Sequence, residues 1–486
     1  MAARTMSELS LGRRRAVLAI CSMSLFIVGI DSTIVNVALP SIGHDLNASV
    51  SGLQWTVDAY TLVLASLLML SGSMADRLGR RRIFQLGLAL FSLGSLLCSM
   101  SPTLGLLIAF RMLQAIGGSM LNPVAMSIIR NTFTDARERA AAIGIWGAVI
   151  GFSLALGPVV GGALTDSIGW RSIFWVNVPI GVAAIILTAR YVPESRAPRP
   201  RRVDPIGQLL VIALLATVTY AIIEGPAAGW SSARTVSVFA AGLLALMILL
   251  PYETYRRDPL IAIGFFRSAP FAGATVIAVA AFAALGGYLF LNTLYLQEVR
   301  GLSPLAAGLY TLPLAAITII ASPLSGRVVG RLGSRPSLLV GGIGVAAGSV
   351  MLTGLTTHTA VWLLLLSYLI FGLGFGVINA PITNTAVSGM PPAQAGVAAG
   401  IASTARQVGQ SLGVAVIGVA ATSGSHGPIR LSLASSSHPG WWITTGCGVL
   451  IIGLGMLSTT RWAHDTATQT AERMAMRESA STPVLA

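Results

Sequence analysis

Of 486 residues, 54% are hydrophobic and only 10% are charged, and the mean hydropathy is +0.78. So little polar surface cannot cover a soluble globule of this size, and the chain reads as a polytopic helical membrane protein. The formal charge of +14 does not signal nucleic acid, because the arginines gather in short clusters at the ends of apolar runs and form no basic face.

After Arg13 to Arg15 the apolar run exceeds twenty residues and has no small-residue cleavage site, so it is expected to be a first membrane helix and not a signal peptide. Runs of about twenty residues at about 1.5 Å rise predict fourteen helices. They lie near 16–38, 53–74, 83–101, 104–129, 139–164, 173–192, 205–224, 234–254, 270–297, 304–326, 337–356, 360–384, 397–421 and 440–460. Alternate connections collect arginine: 25 lie on one side, against Arg171, Arg234, Arg300 and Arg430 on the other. That bias predicts both termini in the cytoplasm of a bacterial cell membrane. Every one of the 31 basic residues is Arg, which points to GC-rich bacterial coding.

The stretch 193–205, with Pro193, Pro198 and Pro200, reads as a cytoplasmic linker. The expected organisation is a six-helix bundle over 1–192, a linker with two additional helices over 193–264, a second six-helix bundle over 265–462, and a mobile polar tail over 463–486. Cys21, Cys98 and Cys447 stand isolated in apolar runs and read as packing residues.

Between two long apolar runs lies a densely charged turn, Gly72 to Arg82. Gly79 allows a tight reversal, Asp76 can pair with the arginines around it, Arg77 and Arg80 to Arg82, and Arg80 to Arg82 can reach anionic headgroups. A weaker copy, Gly326 to Pro336, returns about half a chain later. Gly118 and Pro123 likewise match Gly376 and Pro381, and Gly144 and Gly157 match Gly400 and Gly413. This internal repeat indicates a transporter built from two related halves.

The motif Asp31-Ser32-Thr33-Ile34-Val35-Asn36-Val37-Ala38-Leu39-Pro40, the charged turn, Arg111 with Gly117-Gly118, and Gly157-Pro158-Val159-Val160-Gly161-Gly162 together resemble the signature set of the major facilitator superfamily. Trp170 to Gly181 also resembles its fourteen-helix drug:proton antiporter branch, the quaternary-ammonium and antibiotic-resistance exporters. The resemblance implies an all-α membrane protein of the major facilitator fold, arranged six, two, six with pseudo-symmetric halves. It further implies proton-driven export of lipophilic, often cationic, antimicrobial compounds.

Asp31 lies deep in the first helix, where an ionised carboxylate costs about 3 kcal/mol or more, so it is either a proton site or a locally paired group bonded to Asn36 or backbone. Asp58 resembles the acidic position of the quaternary-ammonium exporters, or else wets a helix end. Arg111 is implied in proton transfer, with a structural clamp as the alternative. Arg406 repels cations, binds an anionic group or holds the halves together.

Trp55, Tyr60, Trp146, Phe152, Tyr288, Phe290 and Tyr310 are candidates for stacking on flat or cationic substrates, against a plain core or interfacial role. Gly157, Pro158, Gly161 and Gly162 give the fifth helix a smooth, kinkable face, which in the resemblance marks antiporters. The segment 304–326 has no acidic residue, a departure from branch members that take dications.

No Walker-type loop, His/Cys cluster or Ser/His/Asp elbow occurs, so neither catalysis nor ATP drive is expected. The expected agent is a monomer that uses protons as coupling ion, without another cofactor, and whose partners are a lipophilic small molecule and membrane lipids. The rival readings are a dedicated exporter of one self-made metabolite or antibiotic, and a non-transporting membrane sensor.

Overall fold

The computed structural model describes residues 10–197, 203–256, 259–388, 390, 394–422 and 429–481. All regular structure among them is helical. The first group comprises α1 Leu11–Asp45, α2 Val50–Leu78, α3 Arg80–Ser99, α4 Leu104–Thr132, α5 Ala136–Ser167, the short α6 Ser172–Trp175 and α7 Asn177–Tyr191. A hairpin follows, α8 Pro205–Ala228 and α9 Ala233–Tyr255. The second group comprises α10 Ala269–Leu294, α11 Pro304–Tyr310, α12 Leu312–Leu332, α13 Ser334–Val350, α14 Val361–Val387, α15 Ala395–Thr422, α16 Ile429–Ser436 and α17 His438–Leu457, with α18 Arg461–Ser481 last.

Local chemistry sets the helix starts. Ser49 accepts from the Gly52 N–H at 3.2 Å, Asp135 from the Arg137 and Glu138 N–H groups at 2.9 Å, and Asp204 from that of Gly207 at 2.9 Å. Pro313 in the first turn of α12 has no N–H to extend α11, so the segment expected as one helix over 304–326 breaks at Thr311.

Helices stand at all fourteen predicted places, yet among the described residues twelve are long and apolar enough to cross a membrane, by length and composition. Glycine-rich α13 stops after 17 residues. In α15, Arg406, Gln407 and Gln410 dilute an otherwise apolar helix. The tail expected to be mobile forms α18, which docks on α10 through a bond from the Ala269 N–H to Thr466 Oγ1 at 3.0 Å and buries Ala463 and Ala467. Its apolar alanines fall on one face, a pattern that its polar composition obscures. Pro198 and Pro200 of the expected linker lie outside the described residues.

The repeat is visible in backbone packing. A Cβ at Gly87 of α3 would meet the Gly117 carbonyl of α4 at 3.0 Å, and one at Gly341 of α13 would meet the Gly374 carbonyl of α14 at 3.1 Å. Gly157 brings α5 onto Thr33 of α1, and Gly413 brings α15 onto Ala283 of α10 in the same way. The helices α1 to α7 pack mainly on one another, as do α10 to α17. The two groups meet where α2 touches α15, α5 touches α11 and α12, and α1 touches α10. The hairpin packs α8 beside both α2 and α15.

Gly79 takes φ +117°, which carries the chain from α2 into α3. Asp76 Oδ1 accepts from Arg80 Nη2 at 2.7 Å, the predicted pairing. Glu194, just past α7, accepts from the Arg81 and Arg82 N–H groups at 3.1 and 3.3 Å and so caps α3 from another part of the chain. The repeat turn has Gly333 at φ +78° but Gly330 where the first has Asp76.

Candidate functional site

At the centre of the first group Asp31 of α1 is fully buried. Its Oδ2 accepts from Arg111 Nη1 of α4 at 2.6 Å, and its Oδ1 accepts from Gln114 Nε2 at 2.8 Å and from Asn177 Nδ2 of α7 at 3.0 Å. Arg111 and Gln114 are one turn apart on α4 and so present to the same side. Arg111 Nη1 also donates to Gln114 Oε1 at 2.8 Å, and its Nε to the Thr56 carbonyl of α2 at 3.3 Å. The Arg111 guanidinium lies over the Tyr60 ring, 4.1 Å from its centroid. Asn177 continues to Ser95 Oγ of α3 at 3.1 Å.

Five helices thus converge on one ion pair that is 0–1% exposed. Such a pair adds little net stability, because desolvation offsets the attraction, but removing either partner strands a charge at a cost of about 3–5 kcal/mol. The pair therefore ties the packing of several helices to one balance of charge. Asn36 bonds to the Ser32 carbonyl at 3.0 Å, so the local alternative, in which it partners Asp31, is not what the chain adopts.

Asp58 sits on α2, buried at 0% exposure, and neither carboxylate oxygen has a hydrogen-bond partner among the described residues. The Thr61 and Ser411 hydroxyls are its polar neighbours. That of Thr61 is bonded to its own helix, at the Val57 and Asp58 carbonyls, both 3.3 Å away. One turn earlier on α2, Gln54 Nε2 donates across to the Val414 and Ala415 carbonyls of α15 at 2.9 and 3.1 Å.

The other candidates fall into separate places. Tyr288 stacks on Phe371 at 3.9 Å and lies edge-on to Trp441, and with Phe290 it is buried in the second group. Trp55 donates its indole N–H to Glu224 of α8 at 2.8 Å, and Trp146 donates to the Cys21 carbonyl at 3.2 Å. Phe152 is 55% exposed beside Phe26, and Tyr310 is half-buried at the end of α11. Arg406 is half-buried and donates to Thr383 Oγ1 of α14 at 2.6 Å.

On α5 the glycines serve two faces. Gly157 and Gly161 admit Thr33 and Ile34 of α1, next to Asp31 in sequence. Pro158 presents its carbonyl to Gly308 of α11, and a Cβ at Gly162 would meet the Pro304 carbonyl at 2.5 Å. One face belongs to the first group and the other to the seam. The same end of the seam is held by His44 Nε2 with Glu298 Oε1 at 2.9 Å, Gln297 donating to the Val37 carbonyl at 2.8 Å, and the Leu305 N–H donating to Asp166 at 3.1 Å.

Gln114, Asn177 and Gln54 were not singled out from sequence. The i, i+3 spacing from Arg111 was available as a signal for Gln114, and Asn177 stands inside the quoted Trp170 to Gly181 motif. Nothing in the sequence points Gln54 across the seam.

A family model described as Major Facilitator Superfamily matches residues 21–414. The chain is 38% identical over 396 residues to a protein named Multidrug resistance protein Stp of Mycobacterium tuberculosis, covering 82% of this chain and 74% of that one. It is 37% identical over 410 residues to the Tetracenomycin C resistance and export protein of Streptomyces glaucescens, covering 84% and 76%. Among solved structures, a D-xylose-proton symporter superposes with a TM-score of 0.66 at 15% identity, covering 92% of this chain and 97% of that one, a likeness of fold alone.

Proposed function

Since the chain belongs to the major facilitator superfamily, we propose that it is a proton-coupled antiporter that exports lipophilic monocationic or neutral drugs across the bacterial cytoplasmic membrane. The family points to a transporter and not an enzyme. In this reading it has fourteen spans, α13 and α15 joining the twelve that meet the length and hydropathy requirement. The units 1–192 and 265–462 rock against each other, 193–264 supplies the extra pair, and both termini are cytoplasmic. It works as a monomer among membrane lipids, with protons as the coupling ion.

The observation that carries the reading is the buried Asp31 carboxylate tied to Arg111, Gln114 and Asn177. Protonation of Asp31 removes the charge that holds Arg111. The neutral carboxyl keeps one accepting carbonyl oxygen but turns the other into an O–H donor that faces one of the three donors, which weakens the ties among α1, α4 and α7. An intramembrane carboxylate with such a partner is the kind of group that couples a proton to movement.

Purified protein in liposomes, loaded with ethidium, tests this under an imposed pH difference or an imposed potential alone. One proton in for one monocation out is electrically silent, so only the pH difference drives export, at about 1.4 kcal/mol or tenfold concentration per unit. A second proton, on Asp58, adds response to potential at about 2.3 kcal/mol per 100 mV. Absence of flux under both gradients refutes export and favours the sensor. The relative named for tetracenomycin C resistance and export favours, as a second reading, a dedicated exporter of one metabolite. A susceptibility panel that shows protection against a single compound class would select it.

A further inference from the structure

The hairpin α8–α9 has no counterpart in the repeat, and two acidic side chains meet at its base. Asp204 caps the first turn of α8, and Glu253 stands in the last turn of α9. They are 3% and 2% exposed. Each gives one oxygen to neutral donors. Asp204 Oδ1 accepts from the Gly207 N–H and from the Tyr252 hydroxyl, both at 2.9 Å, and Glu253 Oε2 accepts from the Ile261 N–H at 3.2 Å. The other two oxygens, Asp204 Oδ2 and Glu253 Oε1, are buried and have no hydrogen-bond partner among the described residues. Arg256 Nε lies 3.2 Å from Asp204 Oδ2 and balances that carboxylate by charge.

A glycine makes the meeting possible. A Cβ at Gly207 would stand 2.5 Å from Glu253 Oε1 and 2.6 Å from Asp204 Oδ2, so the two oxygens share the space that the missing side chain leaves and lie within about 5 Å of each other. Two carboxylates so close, both withdrawn from water, cannot both stay ionised against one cation without a large cost. Among the described residues the charged groups that bear on Glu253 are Asp204 and Arg256, one negative and one positive. Helix α2 offers this end of α8 the neutral Ser66 carbonyl, which accepts from Gln208 Nε2 at 2.6 Å. Arg201, Arg202, Arg257 and Asp258 flank the pair in sequence and lie outside the described residues. A metal ion needs more oxygens than these two and is repelled by the guanidinium beside them. A proton needs one donor oxygen and one acceptor, and a Glu253 Oε1–H pointing at Asp204 Oδ2 supplies both while Asp204 keeps Arg256.

We propose that Asp204 and Glu253 hold one proton between them, in the space over Gly207, and that this proton fastens the base of the hairpin. The effect reaches the segment that leads into the second group. Glu253 holds the Ile261 N–H, and Ile261 and Ala262 pack, as does Met69 of α2, on a cluster of the second group that includes Phe271, Ala386 and Ile401. Loss of the proton sets two anions against each other, displaces Glu253 and loosens 259–262. Proton binding at this place is independent of the export reading, and its readouts need no transport.

The test uses the full chain in phosphatidylcholine nanodiscs. The infrared spectrum of the wild type minus that of Glu253→Gln, at neutral pH, is expected to contain the C=O band of a protonated carboxyl that fades as the pH is raised. In Asp204→Asn, which keeps a capping oxygen on α8, the band is expected to fade at least about one pH unit lower, a tenfold loss of proton affinity. Where that variant misfolds by gel filtration, Gly207→Ala serves: its Cβ parts the two oxygens, and the C=O band is expected to move to higher frequency as the bond to Asp204 is lost. Amide exchange of 259–262, corrected for its intrinsic pH dependence, is expected to rise about tenfold in the wild type once the band is gone and to stay flat in Glu253→Gln. An ionised Glu253 at neutral pH overturns the proposal. So does a band whose fading is unchanged in Asp204→Asn, or whose position is unchanged in Gly207→Ala, since Glu253 is then held neutral by burial alone. Carboxylate bands that shift when sodium replaces N-methylglucamine put a metal ion in the space and overturn it as well. Exchange of 259–262 that stays flat in the wild type refutes the fastening role.

Discussion

The structural role of the Asp31–Arg111 pair and the coupling role proposed for it can be separated by a double-substitution cycle. The Asp31 carboxylate accepts three donors at 2.6, 2.8 and 3.0 Å. Asparagine offers one oxygen and one amide nitrogen, so at least one donor then faces another donor, and a guanidinium 1% exposed is left without its counter-charge. Asp31→Asn is expected to cost about 3–5 kcal/mol, and Arg111→Met a similar amount by stranding the carboxylate. The double substitution removes both charges and is expected to recover most of the loss, since neutral packing at a former buried pair is often as stable. Denaturant unfolding in detergent measures the stabilities, and ethidium efflux from liposomes under a pH gradient measures the coupling. The expected result is a double variant that is folded and inserted yet does not export. Single variants that each lose less than about 1 kcal/mol would refute the buried-pair reasoning. A double variant that exports at the wild-type rate would move the proton site to Asp58.

Gly157→Leu places a side chain against Thr33 of α1 and is expected to destabilise the first bundle, whereas Gly162→Leu presses on Pro304 and Leu305 across the seam. The second variant is expected to insert normally but to lose a disulfide engineered between Asp166→Cys and Leu305→Cys, and retention of that crosslink would refute it. Glu194→Ala removes the acceptor of the Arg81 and Arg82 N–H groups and is expected to cost about 1 kcal/mol, read by thermal unfolding. In a cysteine-free background, Ser51→Cys is expected to react with an impermeant maleimide in intact cells and Ser195→Cys only after permeabilisation, the reverse pattern inverting the predicted orientation.

Hydropathy made the helices legible, because each needs about twenty apolar residues and little else in this chain is apolar for so long. It was less informative where a helix is broken or diluted. The stop at Thr311 depends on Pro313, and α15 carries Arg406 and two glutamines through its length. Asp31 and Arg111 were legible as isolated charges in apolar runs, since such charges need partners. Their actual neighbours were not, because Gln114 and Asn177 are uncharged and resemble other buried polar groups until α4 and α7 are brought together. Tyr288 and Trp55 show the same limit in another form: an aromatic residue's period along a helix does not say whether its face meets a cavity, a core or Glu224.

The repeat and the charges obey different rules, and the difference bears on mechanism. Glycine contacts recur in both groups, at Gly87 and Gly341 and again at Gly157 and Gly413, so the same close helix crossings were kept twice. Two arginines of the turn were kept, Arg331 for Arg77 and Arg335 for Arg81, but the acidic and membrane-embedded charges were not. Aligned through Gly118 and Gly376, Arg111 falls on Leu369, and the turn alignment sets Gly330 opposite Asp76. Two intact copies of the Asp31 network would present two buried pairs, each costly to open, on opposite sides of one seam. With one copy, a single protonation change alters only the first group's internal bonds, while the second group offers Ser411 and the apolar wall of α15. The seam between unlike partners is then where movement of one group changes what the other faces.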